Sequence, residues 1–326
     1  MRQPMGNPLL LQTGVLVAIA FVGGCAVLGE SPVPATRTLM QVEEFKILTL
    51  GTQRIVDYDA RIGNHYFLLE SSGFAEVIQC APSGRCENRF FVALPDSEAR
   101  PTGIAADGDG LLALLFVRKN GGTVVVIDEA GIRREEYAVS GVHSSPTPLK
   151  TIGFSGSNPV ILTGTNSVMD VRTGQPVGFA TPPADFATGL IAVGNEILLV
   201  DGVGSRFSLA RLGGGTWHQL VAPEIQGQSR RPPSSPNVEI AIANAVGCET
   251  GFFVRVMPFA YHTGVPILRF DMTGRLLERI RCPLPPRQSR NERPFSPRFT
   301  AVDCGTGVIY LVDPFSSIVR GYALSG

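Results

Sequence analysis

Two proline-rich stretches bring arginines together in a way that suits anion recognition. Residues 222–236 hold Arg230 and Arg231, and residues 283–297 hold Arg287, Arg290 and Arg293. A guanidinium is a planar fork of N–H donors matched to the oxygens of a carboxylate or phosphate. Phe259, Tyr261 and His262, and further along Phe315, supply rings against which such forks stack. The combination fits a protein, peptide or small ligand presenting an anionic or carbohydrate-like group. The competing reading is that both stretches are solvated insertions with no partner.

A catalytic set is harder to assemble. The histidines are His65, His143, His218 and His262. Glu70, Asp201 and Asp313 each close an apolar run at corresponding places, so with His262 they are the candidate ligands for a divalent metal. That set would serve a metal-dependent hydrolase or lyase. Acids so placed equally cap turns through side-chain hydrogen bonds, and the binding reading calls for no cofactor. Gly-x-Ser-x-Gly, Cys-x-x-Cys and a phosphate-cradling glycine loop are absent. Acidic and basic residues number 28 each, which leaves no global field to recruit nucleic acid.

The elements that position these groups follow from the rest of the chain. With 37 glycines, 25 prolines and no long helical period, the 326 residues read as many short strands joined by turns. Six segments repeat one phrase, a strand and a short turn ending in glycine, as in Val125–Gly131 and Leu268–Gly274. The phrase recurs roughly every 40–60 residues, the period of a four-stranded propeller blade. Each unit also carries an uninterrupted apolar run, such as Leu111–Val117 or Val308–Asp313. Runs of that kind suit strands covered on both faces. The expectation is an all-β, six-bladed β-propeller, with strands a to d numbered from the axis outward.

The last unit reaches Gly326 without a strand d, and an open strand edge is costly. A spare strand, Glu44–Leu50, precedes the first full unit at Arg54 and would complete it from outside. In such a ring the b–c and d–a loops share one face. The two arginine stretches then lead into consecutive blades, beside the b–c loops that carry Phe259, Tyr261, His262 and Phe315. Leu268-Arg269-Phe270-Asp271-Met272-Thr273-Gly274 resembles the repeat ending of the NHL family. Residues 44–326 as a whole resemble the six-bladed propellers of the NHL and TolB-like superfamily. The resemblance implies the fold; such propellers host receptors, scaffolds, lactonases and lyases alike. The Pro-Asp-Gly step of the lactonase branch is echoed only faintly, at Asp107–Gly110.

The first 25 residues have the layout of an export signal, a basic start at Arg2 and an uncharged run from Leu9 to Gly29. Val22-Gly23-Gly24-Cys25 resembles a bacterial lipobox, with Cys25 the lipidated residue. Cleavage after Val33-Pro34-Ala35, or an uncleaved membrane anchor, are the alternatives. All three place the body outside the cytoplasm, tethered to the membrane or secreted. Residues 26–43 then read as a tether and residues 44–326 as the propeller. Outside the cytoplasm, cysteines read as disulfide candidates. Cys80 and Cys86 flank a tight turn. Cys248 and Cys304 fall in a–b turns of neighbouring blades, which leaves Cys282 as the free thiol. Mass spectrometry of the membrane-extracted protein is expected to find a diacylglyceryl group on Cys25. A mature chain beginning at Thr36, or one retaining Arg2, would refute it.

Overall fold

Strands form here because the apolar runs are long enough to be covered on both sides and short enough to end in turns. The computed structural model describes residues 34–49, 53–61, 63–142, 150–163, 167–177, 189–193, 196–200, 208–211, 218–219, 242–256, 264–285 and 293–324. Two strands, β1 (Thr36–Thr38) and β2 (Met40–Lys46), precede the first sheet. That sheet contains β3 (Arg54–Arg61), β4 (Asn64–Ser71), β5 (Phe74–Cys80) and β6 (Cys86–Ala93). The second contains β7 (Arg100–Ala106), β8 (Leu112–Arg118), β9 (Gly121–Ile127) and β10 (Arg133–Val139), and the third β11 (Ile152–Ser155), β12 (Asn158–Leu162) and β13 (Val168–Asp170). The fourth contains β14 (Gly189–Val193), β15 (Glu196–Val200), β16 (Ser208–Arg211) and β17 (His218–Gln219). The fifth contains β18 (Ile242–Cys248), β19 (Gly251–Val256), β20 (Val265–Phe270) and β21 (Leu276–Cys282). The sixth contains β22 (Phe299–Asp303), β23 (Val308–Asp313) and β24 (Ile318–Ala323). Within each sheet, sequential strands are antiparallel neighbours. This is an all-β propeller.

The apolar cores lie between the sheets. Side chains alternate across a strand, so Tyr66 and Leu68 of β4 join a cluster with Ile104 and Leu114 of the second sheet. Their neighbours Phe67 and Leu69 join one with Tyr310 and Val312 of the sixth. The same division recurs between the second and third, third and fourth, fourth and fifth, and fifth and sixth sheets. Polar ties reinforce the layers near the axis. Asp57 and Asp59 of β3 accept hydrogen bonds from the backbone N–H groups of Ile104 and Ala106, at 2.8 and 2.9 Å. Asp303 of β22 accepts one from Gly63 at 3.1 Å.

The repeated phrase is the turn between the third and fourth strands. Its aspartate holds the turn: Asp128 Oδ1 accepts from the N–H groups of Ala130 and Ile132, and Asp271 Oδ1 from those of Thr273 and Arg275. Its glycine does two jobs. Gly131 has a φ of +75°, and a Cβ there would lie 2.4 Å from the ring of Phe90 on the outer strand of the first sheet. Gly84 has a φ of +78°, and a Cβ there would lie 2.4 Å from the Cβ of Phe45 and 2.5 Å from its ring. Phe45 thus covers the first sheet as Phe90 covers the second.

That parallel identifies β2 as the outer strand of the sixth sheet. It pairs antiparallel with β24, Met40 opposite Ala323 and Lys46 opposite Ile318. The paired strand lies four residues earlier than the expected Glu44–Leu50. The expected tether also contains structure: β1 runs parallel to β21, Thr36 opposite Arg279 and Thr38 opposite Arg281. Leu39, between the two strands, is buried against the fifth and sixth sheets. The compact unit accordingly begins at Pro34. Glu44 pairs with Arg320 at 2.7 Å, and Glu43 accepts from the Tyr310 hydroxyl at 3.3 Å.

The disulfides are Cys80–Cys86, across the hairpin, and Cys248–Cys304, between the a–b turns of the fifth and sixth sheets. Cys282 is a buried free thiol. Loop-closure arithmetic gives about 4 kcal/mol for the second bridge and about 2 kcal/mol for the first, so the longer bridge reinforces the ring more.

Removing residues 34–47 strips β1 and β2 together with Phe45 and Ile47. Each large side chain contributes about 1.5–3 kcal/mol on burial, against a total of about 5–15 kcal/mol. The thermal midpoint is expected to fall by about 10 °C or more, and removal of 34–38 alone to cost less. Equal midpoints for the 34–326 and 48–326 proteins would show that the ring closes otherwise.

His65, 1% exposed, lies in the same seam. Its Nδ1 is 2.7 Å from the Tyr58 hydroxyl, and its ring meets Tyr310 edge-on at 4.4 Å. Burial lowers its pKa to about 4, with the Asp303 carboxylate opposing. The unfolded chain takes up this proton near pH 6.5 and the folded chain does not. Stability should therefore fall as pH drops from about 6.5 to about 4, by about 3 kcal/mol in all. Chemical unfolding at several pH values should show that slope reduced by about one proton in His65→Gln. An unchanged slope would mean that His65 is protonated in the folded chain.

Candidate binding site

The alternation that builds the cores also places one arginine inside them. In β19, Phe252, Val254 and Val256 face the fourth sheet, while Phe253 packs toward the sixth. Arg255 shares the side of Phe253 and is 1% exposed. Its Nε donates to Thr300 Oγ1 at 3.0 Å and its Nη2 to the Arg298 carbonyl at 2.7 Å. Its Nη1 is buried without a hydrogen-bond partner. Among the described residues no carboxylate pairs with it, and burial pulls its pKa down to about 9.

Next to it, Asp313 fixes the turn after β23. Its Oδ1 accepts from Phe315 N–H at 2.9 Å, and its Oδ2 from Ser316 Oγ at 2.8 Å and Ser296 N–H at 3.1 Å. The last bond joins the b–c turn to the d–a segment. Phe315 is left 42% exposed. The Arg293 guanidinium carbon sits 3.9 Å from its ring centroid and that of Arg298 sits 4.6 Å away. Stacking holds both guanidinium groups in place, and among the described residues no carboxylate takes up their N–H edges. A third pair, Arg320 over Phe295 at 4.2 Å, is tied up by Glu44.

Of the residues singled out from sequence, Arg293 and Phe315 are brought together. Arg230, Arg231, Arg287, Arg290, Phe259, Tyr261, His262 and Asp201 lie outside the described residues, as does Cys25. Glu70 is held by Arg100 at 2.7 Å and Arg54 at 3.8 Å, and Asp313 serves its turn. Among the described residues no three His, Cys, Asp or Glu side chains are placed to share a metal. Arg298 and Arg255 were missed. Arg298 carries a positional signal, since it immediately precedes an innermost strand.

A second polar cluster sits among the innermost strands. Lys150 donates to the Ile104 carbonyl at 2.8 Å and lies 3.7 Å from Asp57 Oδ2 and 3.4 Å from Asp59 Oδ1. Desolvation raises the Asp57 pKa, partly offset by the Lys150 ammonium and the Ile104 N–H. Asp59, Arg61 and Lys150 line a cavity of about 40 Å³ whose walls come from the innermost strands of all the sheets. That is room for two or three waters at most. The Asp57–Asp59 spacing is the sequence signal for this cluster, two residues apart on one strand and so on one face.

No family model matches the chain, and no curated protein matches it. Among solved structures, the glutaminyl cyclase of Myxococcus xanthus is similar at 12% identity and a TM-score of 0.46, over 89% of this chain and 97% of that one. A protein of unknown function from Bacteroides caccae is similar at 13% identity and a TM-score of 0.48, over 71% and 82%. Chaetomium thermophilum Raptor is similar at 13% identity and 0.47, over 81% of this chain and 22% of that one. Likenesses of this size carry nothing about activity.

Proposed function

We propose that this chain is a six-bladed propeller working outside the cytoplasm as a binding module, with its ligand on the face formed by the b–c and d–a loops. Six sheets alternating with six apolar layers support the blade count. The third sheet has three described strands, and Pro176 and Val177 begin to pair beside β13 before the described residues break off at 177. Two disulfides suit an oxidising compartment. A lipid on Cys25 or an N-terminal anchor would tether the module to a membrane.

One observation carries the ligand class. Two guanidinium groups are stacked on one half-exposed ring, with no carboxylate paired to either among the described residues. A structural arginine ordinarily finds an acid, as Arg320 finds Glu44. Free forks on an aromatic platform suit an anionic or carbohydrate-like group on a peptide, protein or glycan. The test is binding to an array of acidic oligosaccharides and of peptides with free C-terminal carboxylates. Arg293→Ala and Phe315→Ala are each expected to weaken the best probe at least about tenfold and to leave the thermal midpoint unchanged. Unaltered binding by both variants would sink this reading. A stoichiometric divalent ion that a chelator strips, with no array binding, would favour a hydrolase or lyase instead.

A further inference from the structure

The arginine rim continues into the protein. We infer that Arg255 is an interior anchor for an oxyanion, a carboxylate or phosphate group carried by the ligand of this face; the inference rests on the binding reading above. Its Nε and Nη2 are committed to Thr300 and to the carbonyl of Arg298, the residue whose side chain stacks on Phe315. Two fixed donors orient the guanidinium plane. Its Nη1 then remains as a buried group without a hydrogen-bond partner, on a side chain bonded to the backbone of Arg298, one of the exposed cations. Burying a cation without its counter-charge is costly, and the lowered pKa of Arg255 records that cost. An incoming oxyanion would remove it, in surroundings where attraction is much stronger than in water. Arg293 and Arg298 would attract the ligand at the rim, and Arg255 would take its charged terminus.

The carboxylates nearby do not substitute. Asp313 is fully buried but spends its oxygens on Ser296, Phe315 and Ser316. Glu44 and Glu43 are engaged with Arg320 and Tyr310. The counter-charge for Arg255 is therefore looked for outside the described residues, and a ligand on this face can bring it.

Thermal unfolding of the exported chain would be measured in acetate, inorganic phosphate or chloride at one ionic strength. The wild-type midpoint is expected to rise saturably, by about 5 °C over chloride, in at least one of the two oxyanions. Whichever acts identifies a carboxylate or a phosphoryl terminus. Arg255→Met should lose the rise, and in chloride it should be at least as stable as wild type, because an uncompensated buried charge is gone. If that variant fails to fold, Thr300→Val keeps the guanidinium but frees one edge, and should weaken the oxyanion response severalfold. No rise in either oxyanion, or the same rise in Arg255→Met or Thr300→Val, overturns the inference. The rim reading fails separately. Array binding that ignores Arg293→Ala and Phe315→Ala defeats the rim alone, whereas an oxyanion response that ignores Arg255 defeats the anchor alone.

Discussion

The inner strands of this chain are largely apolar on both faces, so no sheet can be stable until a neighbour covers each side. Phe67 and Leu69 need the sixth sheet as much as Tyr66 and Leu68 need the second. This requirement turns a row of sheets into a closed ring. It also explains why the weight of closure falls on the first residues of the compact unit. Without β2, β24 would carry an unpaired edge and the seam between the sixth and first sheets would lose Phe45 and Ile47. β1 extends the grip to the edge of the fifth sheet, and Leu39 between them fills the next layer. One short segment thus closes two layers.

The inner architecture was legible because its physics is repetitive. Uninterrupted runs such as Leu111–Val117 have one explanation, burial on both faces, and the Asp-to-Gly turn recurs with them. The disulfides followed from the same register, since Cys248 and Cys304 occupy matching turns of neighbouring sheets. The outer strap was harder to read. An outermost strand has only one covered face, and β2 uses that face for Glu43 and Phe45 while leaving Met40 and Val42 exposed. Met-Gln-Val-Glu-Glu-Phe-Lys therefore has no strand-like alternation, and a reading by apolar content slides it toward Leu48 and Leu50. Thr36–Thr38 is shorter still and gains its place from the partner.

The site divides along the same line. Arg293 and Phe315 stand in loop-like sequence, where charge and aromaticity without apolar period mark a surface. Arg255 sits inside Gly-Phe-Phe-Val-Arg-Val, and a lone arginine near the end of a strand suggests an edge reaching water. Its burial comes from the sixth sheet lying over it, through Thr300 and the Arg298 carbonyl, and nothing local encodes that. Asp57, Asp59 and Lys150 were hidden for a similar reason: their meeting joins three sheets.

Those two clusters show how differently one fold treats buried charge. At the axis, Lys150 is matched to two carboxylates, and each carboxylate also takes backbone N–H groups. The Lys150 ammonium and both carboxylates are thus answered internally, as expected of a group kept for holding sheets together. Arg255 joins two sheets as well, but through Thr300 and a carbonyl, bonds that a neutral glutamine could supply in part without the cost of desolvating a cation. Its charge is therefore surplus to its structural bonds. A surplus buried cation, bonded to the backbone of the arginine whose guanidinium stacks at the rim, sets the loop face apart from the axis. The axis answers its buried ammonium internally, whereas at the rim of the fifth and sixth sheets no carboxylate among the described residues answers Arg255, Arg293 or Arg298.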